Sequence, residues 1–435
     1  MRDAGGDPVV IRNDPLLVDG TPMPTLYWLV GREERLAVDR LEAGGGVREA
    51  EAAVDAEEVA RSHARYAAER GRLLPPGWEG PAPSGGVGGA RAGVKCLHAH
   101  YAWFLAGGDD PVGRWVAGRL RPQSLAAIDC GTNSTRLLVA DAEGRTVERL
   151  MRITRLGQGV DETGRLRPVA IDRTISVLSE YRTVMDSFGV GPVRIAATSA
   201  ARDAANREDF FGRAQAVVGV RPELLGGDTE GALSFAGATA GLDPSGAPWL
   251  VADIGGGSTE LAVGDEPGGD PIDVVSLDVG CVRISERFLD GDPPAVPSIA
   301  AARRHVSGVL KEASAVHPGF GTAATLVGLA GTVASLAAID QRLDEYDRSR
   351  VHHYHLSRQC VEEMLDVLAR DTAEQRARRP GVEPGRVDVI VGGTIVLAAL
   401  MDHFGFDDCL TSEADILDGM VMSLLQARSA PHTGV

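Results

Sequence analysis

The chain has 435 residues, of which 44% are hydrophobic and 24% charged, and it carries a formal net charge of -17. This length allows two or three domains with their own cores, and the acidic balance argues against a general nucleic-acid binder, which usually has a basic face. Five scattered cysteines, an odd number, argue against a disulfide framework. No apolar stretch approaches the roughly 18 to 20 residues that span a bilayer, and no signal-peptide pattern opens the chain, so we expect a soluble, cytoplasmic protein.

Residues 1–120 are predicted to form one small α+β unit. It contains a Pro-rich segment and a helix through "EERLAVDRLEAGGG", followed by a loop at 73–93 whose Pro and Gly content excludes regular structure. Helical spacing returns in "GVKCLHAHYAWFLAGGDDPVGRWVAGRL". The next three residues, "RPQ" (121–123), are typical of a linker.

From residue 124 onwards the pattern changes to apolar runs that alternate with amphipathic helices, which indicates an α/β fold. In "LAAIDCGTNSTRLLVA" a buried strand ends in Asp129 and a turn follows, and "WLVADIGGGSTELAVG" repeats this arrangement with Asp253. We therefore predict two similar lobes, 124–248 and 249–430, with the question left open whether C-terminal segments pack back on the first lobe. Helices dominate after 289–298, with one further strand predicted at 387–393.

The two turns have the composition of a phosphate-binding site, because glycine permits close approach to backbone N–H groups and the hydroxyls add donors. A single turn of this kind is more often a plain hairpin, but two that face each other across a cleft would hold a phosphate chain. The first turn contains Gly131, Thr132, Asn133 and Ser134, and the second contains Gly255, Gly256, Gly257, Ser258 and Thr259. Two aspartates beside phosphates would repel them, so we expect Mg²⁺ between Asp129 and Asp253.

These two segments resemble the phosphate motifs of the exopolyphosphatase/guanosine pentaphosphate phosphatase (Ppx/GppA) family. The resemblance extends in order through the segments "AATSAARDAANREDF", "LLGGDTEGALSFAGA", "LVGLAGTVASLAAI", "VDVIVGGTIVLAAL" and "TSEADILDGMV", and it covers residues 124 to about 425. It implies the two-lobed α/β fold of the actin, sugar-kinase and Hsp70 superfamily, which is ribonuclease H-like. The resemblance stops near residue 425, whereas long members add C-terminal helical domains, so this part of the chain resembles the short, two-lobed members.

The resemblance also implies roles for individual residues. Glu230 matches the carboxylate that deprotonates the attacking water, Glu260 matches an acidic residue that organises metal and water, and Arg202 matches an arginine directed at the phosphates. Thr229 departs from the family, which usually has two adjacent glutamates at this point. Without the resemblance, Glu230 would be interpreted as a first-turn glutamate that compensates a helix dipole, and Arg202 as a solvated arginine. Arg136, behind the first turn, is a weaker candidate.

We therefore predict a Mg²⁺-dependent exopolyphosphatase that hydrolyses the terminal phosphoanhydride of inorganic polyphosphate. Guanosine pentaphosphate is the alternative substrate, but the aromatic residues Phe235, Trp249, Phe288 and Phe320 are typical of a core, and no guanine platform is evident. A non-catalytic polyphosphate or alarmone sensor and a kinase of the same superfamily stay open as other classes. We expect no nucleic-acid or membrane partner and leave a homodimer open.

Residues 1–120 resemble a bacterial family named domain of unknown function 501, through "DGTPMPTLYWL", "VKCLHAH" and "GGDDPVGRWV". This resemblance implies no activity. Cys96, His98 and His100 are three metal-ligating residue types within five positions, but no second cluster in the sequence completes a zinc site. The "HHYH" histidines (His352, His353 and His355) lack the spacing of a metal site and are interpreted as part of a polar loop.

Overall fold

The structure of the protein is a computed structural model that describes residues 1, 8–120 and 124–429. The chain forms two compact units, residues 1–123 and 124–435. The predicted linker at 121–123 lies outside the described residues. Within the described part of the chain, no helix is long and apolar enough to cross a membrane.

The first unit is a small α+β domain. Its two strands pair antiparallel, with Val10 opposite Leu29, and its helices enclose a core that includes Tyr66 and Trp103, whose rings meet edge to face at 5.0 Å. The Tyr66 hydroxyl accepts a hydrogen bond of 2.6 Å from the Leu26 amide, so the buried phenol is satisfied. The elements are β1 (Val10–Arg12), β2 (Tyr27–Leu29), α1 (Arg32–Ala43), α2 (Gly46–Ala53), α3 (Ala56–Arg72), α4 (Leu97–Leu105) and α5 (Pro111–Leu120).

The second unit alternates strands and helices as its sequence pattern predicts. Its strands are β3 (Leu125–Cys130), β4 (Ser134–Ala140), β5 (Thr146–Ile153), β6 (Val193–Ala197), β7 (Glu223–Leu224), β8 (Trp249–Ile254), β9 (Thr259–Gly264), β10 (Asp273–Leu277), β11 (Thr325–Leu329), β12 (His355–Ser357) and β13 (Asp408–Thr411). Its helices are α6 (Val160–Thr163), α7 (Pro168–Ser187), α8 (Ser199–Asp203), α9 (Arg207–Val218), α10 (Gly227–Thr239), α11 (Cys281–Phe288), α12 (Val296–Val316), α13 (Ala330–Asp340), α14 (Arg348–Val351), α15 (Arg358–Arg370), α16 (Ala373–Ala377), α17 (Ile390–Phe404) and α18 (Ile416–Ser429).

Two sheets of the same design form the two lobes. The first has the order β5-β4-β3-β6-β7 and the second β10-β9-β8-β11-β13-β12. In each, a central strand pairs antiparallel with the strand that follows it and parallel with a later one: β3 with β4 and β6, and β8 with β9 and β11. Asp129 and Asp253 therefore occupy equivalent positions near the ends of the two central strands. Their cross-strand partners are Arg136 and Glu260, respectively.

Helices cover both faces of each sheet, so β3 and β8 are buried along their whole length. The C-terminal helix α18 returns to the first lobe. Its Ile416, Leu417 and Met420 pack with Leu125 of β3 and Leu138 of β4. This packing brings the segment before α18 to the carboxyl end of β3, close to Asp129.

The strand predicted at 387–393 is wrong. These residues lead into α17, a helix in which every residue from Ile390 to Met401 is buried. A helix that is apolar on all sides shows no 3.6-residue period, and its sequence therefore looks like that of a buried strand. The strands that complete the second sheet are the shorter β11, β13 and β12.

Candidate functional site

The two Asp-ended turns meet at one cavity of about 60 Å³ between the lobes. Asp129, Asp253, residues 131–134 of the first turn and 255–258 of the second all line it. The turns approach so closely that a Cβ on Gly256 would lie 2.8 Å from the Cβ of Thr132, which explains the need for glycine there. Sequence repetition alone predicted this face-to-face arrangement.

Two buried polar atoms of cavity-lining residues have no hydrogen-bond partner among the residues that the structure describes. They are Oδ1 of Asp129, an acceptor, and Nδ2 of Asn133, a donor. An unpaired buried polar atom costs about 1–3 kcal/mol. An empty acceptor close to an empty donor suits a cation bound together with an anion.

Arg136 is the principal cation of the site, although the sequence interpretation had given it little weight. Its Nε and Nη2 lie 3.0 and 2.7 Å from Oδ2 of Asp129, and its Nη1 donates to Asp415. Burial alone would lower the pKa of Arg136, but the carboxylates of Asp415, Asp129 and Asp253 outweigh it and raise the pKa above its ordinary value. One guanidinium therefore holds an aspartate from each end of the second unit.

Asp253 and Glu260 are buried acids whose pKa values are raised. Burial, opposed in part by Arg136, raises the pKa of Asp253 to about 6, and Ser234 donates a hydrogen bond of 2.7 Å to its Oδ2. Burial and the nearby charge of Asp253 raise the pKa of Glu260 to about 7. Glu260 accepts a 2.7 Å hydrogen bond from Ser276 and does not line the cavity. It therefore acts on the site through its charge.

Glu230 lies in the first turn of α10, lines the cavity and is 8% exposed. Burial and the charge of Glu260 raise its pKa well above the ordinary value, although Arg202 opposes this shift. Nη1 of Arg202 lies 2.9 Å from Glu230 Oε2 and 2.9 Å from the Leu225 carbonyl. A buried carboxylate with a raised pKa that lines a cavity is able to accept a proton from a water molecule bound there.

The structure places three of the predicted site residues outside the cavity lining. The Thr259 hydroxyl donates a hydrogen bond to the Val279 carbonyl and lies outside the cavity lining, and its role in phosphate binding stays a prediction. Glu260 lies behind the second turn, and Arg202 reaches the site through its ion pair with Glu230. The lining instead includes residues that the sequence analysis did not single out, among them Thr198, Ser199, Ala330, Arg386 and Ile416.

A larger pocket of about 570 Å³ adjoins the phosphate cavity, and Arg136, Ala330, Gly331 and Arg386 line both. Its wall contains apolar side chains and the half-exposed Tyr346, which donates a hydrogen bond to Glu413. No aromatic residue had been expected close to the cleft. The predicted core aromatics Phe235, Trp249 and Phe320 are indeed buried, and Phe288 is partly buried against the same core.

Comparison with protein families matches residues 138–428 to the Ppx/GppA phosphatase family. The chain belongs to the Ppx/GppA phosphatase family. Residues 1–118 match a second family, described as a protein of unknown function (DUF501), so the chain is the fusion that its motifs indicated.

Individual Ppx/GppA relatives agree with this assignment. The chain is 43% identical over 319 residues to Exopolyphosphatase 2 of Mycobacterium tuberculosis. The alignment covers 69% of this chain and 98% of that protein. Among solved structures, an exopolyphosphatase-like protein is 35% identical with a TM-score of 0.66, covering 70% of this chain and 99% of the other. The Aquifex aeolicus Ppx/GppA family member is 32% identical with a TM-score of 0.60, covering 71% and 99%. These structures confirm the predicted two-lobed fold.

The departure from the usual Ppx/GppA pattern at Thr229 lies at the protein surface. Thr229 is exposed, whereas the adjacent Glu230 is buried and lines the cavity. The second carboxylate that raises the pKa of Glu230 comes from Glu260 in β9. The second carboxylate therefore comes from strand β9 and not from the residue next to Glu230 in helix α10.

Proposed function

We propose that this Ppx/GppA phosphatase hydrolyses the terminal phosphoanhydride of inorganic polyphosphate and releases orthophosphate. The name of its relative in Mycobacterium tuberculosis, Exopolyphosphatase 2, supports this substrate class. The observation that carries the proposal is the small cavity in which the unpaired Asp129 Oδ1 and Asn133 Nδ2 meet two glycine-rich turns.

The size of the cavity supports attack on a terminal group. A water-sized group needs roughly 10–15 Å³ of such volume. A cavity of about 60 Å³ therefore has room for one phosphoryl group and few waters, but not for the rest of a chain or for a nucleoside. The terminal phosphate would lie between the turns, and the remaining substrate would extend away from them.

Glu230 is the proposed general base. It accepts a proton from water as the water oxygen bonds to the terminal phosphorus, while the bond from that phosphorus to the bridging oxygen breaks and the shortened chain leaves. Glu260 is the proposed positioning residue, because its charge keeps the pKa of Glu230 high. Arg202 orients the Glu230 carboxylate through their 2.9 Å ion pair.

Mg²⁺ is the proposed cofactor, and the residues present fit it. Asp129 has an unpaired buried oxygen and Asp253 lines the same cavity, and Mg²⁺ commonly binds one or two carboxylates together with phosphate oxygens. When bound, the ion would neutralise charge that develops on the phosphate oxygens. Arg136 already compensates one oxygen of Asp129, so a single additional cation is sufficient.

Guanosine pentaphosphate is a second candidate substrate because of the adjoining 570 Å³ pocket. Tyr346 offers an aromatic face there, and the carboxylates of Asp344 and Glu413 can accept hydrogen bonds from the N–H groups of a base. The pocket also contains four arginines, each paired with an acid: Arg136, Arg149, Arg348 and Arg386. Paired arginines attract a polyanionic tail weakly, so this pocket suits a nucleoside better than a phosphate chain.

The test is to incubate the purified full chain with Mg²⁺ and short-chain polyphosphate, without any acceptor, and to measure orthophosphate. Release identifies a hydrolase, and tight binding without release identifies a sensor. Phosphorylation of an added acceptor without orthophosphate release identifies a kinase. Parallel measurement of kcat/KM for guanosine pentaphosphate ranks the two substrates. Although the larger pocket suits a nucleoside, we expect polyphosphate to be preferred because the 43% identical relative is named an exopolyphosphatase. Tyr346→Ala should lower kcat/KM for the nucleotide alone.

A further inference from the structure

The first unit brings together three metal-ligating side chains from two separate segments of the sequence. Glu42 lies in the last turn of α1, Cys96 immediately precedes α4, and His98 lies in the first turn of α4. One ligand atom from each lies within 4.8 Å of the others. All three are partly exposed, so an ion could reach them from solvent.

The backbone fixes this arrangement. Oε1 of Glu42 accepts a 2.6 Å hydrogen bond from the amide of Leu97, at the start of α4, and also lies 3.2 Å from Nδ1 of His98. The carboxylate is thus held where the thiol and the imidazole converge, and the end of α1 is tied to the beginning of α4. Pre-positioned ligands reduce the entropy that is lost when an ion binds.

A second carboxylate holds the other side of the imidazole. Oδ1 of Asp39, one turn before Glu42 on α1, lies 3.2 Å from Nε2 of His98. A histidine that binds a metal through one ring nitrogen generally donates the N–H of the other to a carboxylate or carbonyl, which fixes its tautomer. Asp39 therefore holds Nε2 of His98, and Nδ1 is the nitrogen that lies beside Glu42.

This set differs from the one suggested by the sequence. His100 is completely buried and its Nδ1 lies 2.8 Å from Asp110, which also accepts a hydrogen bond from Ser62. It is therefore part of an internal polar network. The third ligand of the cluster is Glu42, more than fifty positions earlier in the chain, and not His100.

We propose that Glu42, Cys96 and His98 form a binding site for a thiophilic divalent cation of the Zn²⁺ class. One thiolate, one imidazole and one carboxylate are the ligand types that Zn²⁺ accepts, and Mg²⁺ and Ca²⁺ disfavour sulfur and nitrogen. Three protein ligands leave a fourth tetrahedral position for water or an incoming ligand. The site lies in the first unit and does not depend on the proposed hydrolase activity.

The experiment is a titration of the full, metal-stripped chain with Zn²⁺ under reducing conditions, together with Co²⁺ substitution. We expect one equivalent of Zn²⁺ to bind and Co²⁺ to produce a thiolate-to-metal charge-transfer band. Cys96→Ser should abolish the band and His98→Gln should abolish binding. Asp39→Asn should weaken affinity by about 10- to 100-fold. Cys360→Ser, which alters a partly buried free cysteine in the other unit, is the matched control and should change nothing.

Several results would overturn the proposal. They are the absence of Zn²⁺ uptake by the unaltered chain, uptake that survives in Cys96→Ser and His98→Gln, and uptake that Cys360→Ser also removes. If the Cys96 variant fails to fold, the Co²⁺ spectrum of the unaltered chain decides, because a spectrum without the thiolate band excludes Cys96 as a ligand. In that case the cluster is only a set of ion pairs that cap α4.

Discussion

Replacing Glu230 by glutamine removes the proposed base while keeping the shape of the side chain. The amide oxygen of glutamine can still accept the hydrogen bond from Arg202, which lies 2.9 Å from the carboxylate. The proton acceptor is lost, and a general base typically contributes about 10²- to 10⁴-fold in rate. At 1.36 kcal/mol per tenfold change, this corresponds to about 3 to 5 kcal/mol of transition-state stabilisation.

The same substitution should not destabilise the ligand-free protein. The pKa of Glu230 is raised above its ordinary value of 4.5 by burial and by Glu260. A carboxyl with a raised folded pKa contributes stability below its unfolded pKa, and this contribution is lost as the pH rises through the folded pKa. At a pH above that ordinary value, the raised pKa of Glu230 is therefore a cost to folding, which Gln removes. We expect the midpoint of thermal unfolding to stay the same or rise.

The assay measures kcat and KM for orthophosphate release from short-chain polyphosphate at pH 8, alongside thermal melts. Glu223→Gln is the matched control, since Glu223 is an exposed glutamate of the same lobe paired with Arg194 at 3.0 Å. We expect kcat to fall at least about a hundredfold in Glu230→Gln with little change in KM, and to be unaltered in Glu223→Gln. A kcat within about threefold of the parent, or a loss that accompanies unfolding, refutes the reasoning.

Three further predictions concern the metal, pH and the join between lobes. Asp129→Asn and Asp253→Asn should each raise the Mg²⁺ concentration for half-maximal activity, and an unchanged requirement in both contradicts a shared ion. In the ligand-free parent, the unfolding free energy should fall by about 3 kcal/mol between about pH 4.5 and 7, because the raised pKa of Glu260 makes the native state bind an extra proton there. Glu260→Gln should abolish this fall. Urea melts that give the same pH dependence of the unfolding free energy for parent and variant would contradict the prediction. Arg283→Gln removes a buried guanidinium that donates a hydrogen bond to the second turn and pairs with acids of the first lobe. It should lower kcat/KM by about ten- to a hundredfold, whereas the control Arg303→Gln should have no effect. Equal effects of the two substitutions would exclude a specific role for Arg283.

The repeated strand, aspartate and turn could be interpreted from the sequence because they are local. Residues 125–134 and 249–258 each contain their own strand and turn signals, and a repeat of this kind implies equivalent positions in two lobes. Positions such as Asp129 and Asp253 could therefore be placed at one cleft before the structure was known.

Contacts made across the topology could not be predicted in this way. Arg136 bonds to Asp415, which reaches the first lobe only because α18 packs on β3 and β4. Tyr346 enters the larger pocket, and Glu42 meets Cys96, through packing between separate segments. The sequence also does not reveal the hydrogen bond of a predicted site residue: the hydroxyl of Thr259 donates to a main-chain carbonyl, which residue type alone does not indicate.

In the proposed mechanism, water activated by Glu230 attacks a terminal phosphate held between the two turns. The most direct measurement is hydrolysis of short-chain polyphosphate by the full chain in ¹⁸O-labelled water with Mg²⁺ and no acceptor, followed by mass spectrometry of the orthophosphate. We expect each released orthophosphate to carry one oxygen from the solvent, and Glu230→Gln to release almost none. Orthophosphate without solvent oxygen, or phosphorylation of an added acceptor in place of release, would contradict this mechanism.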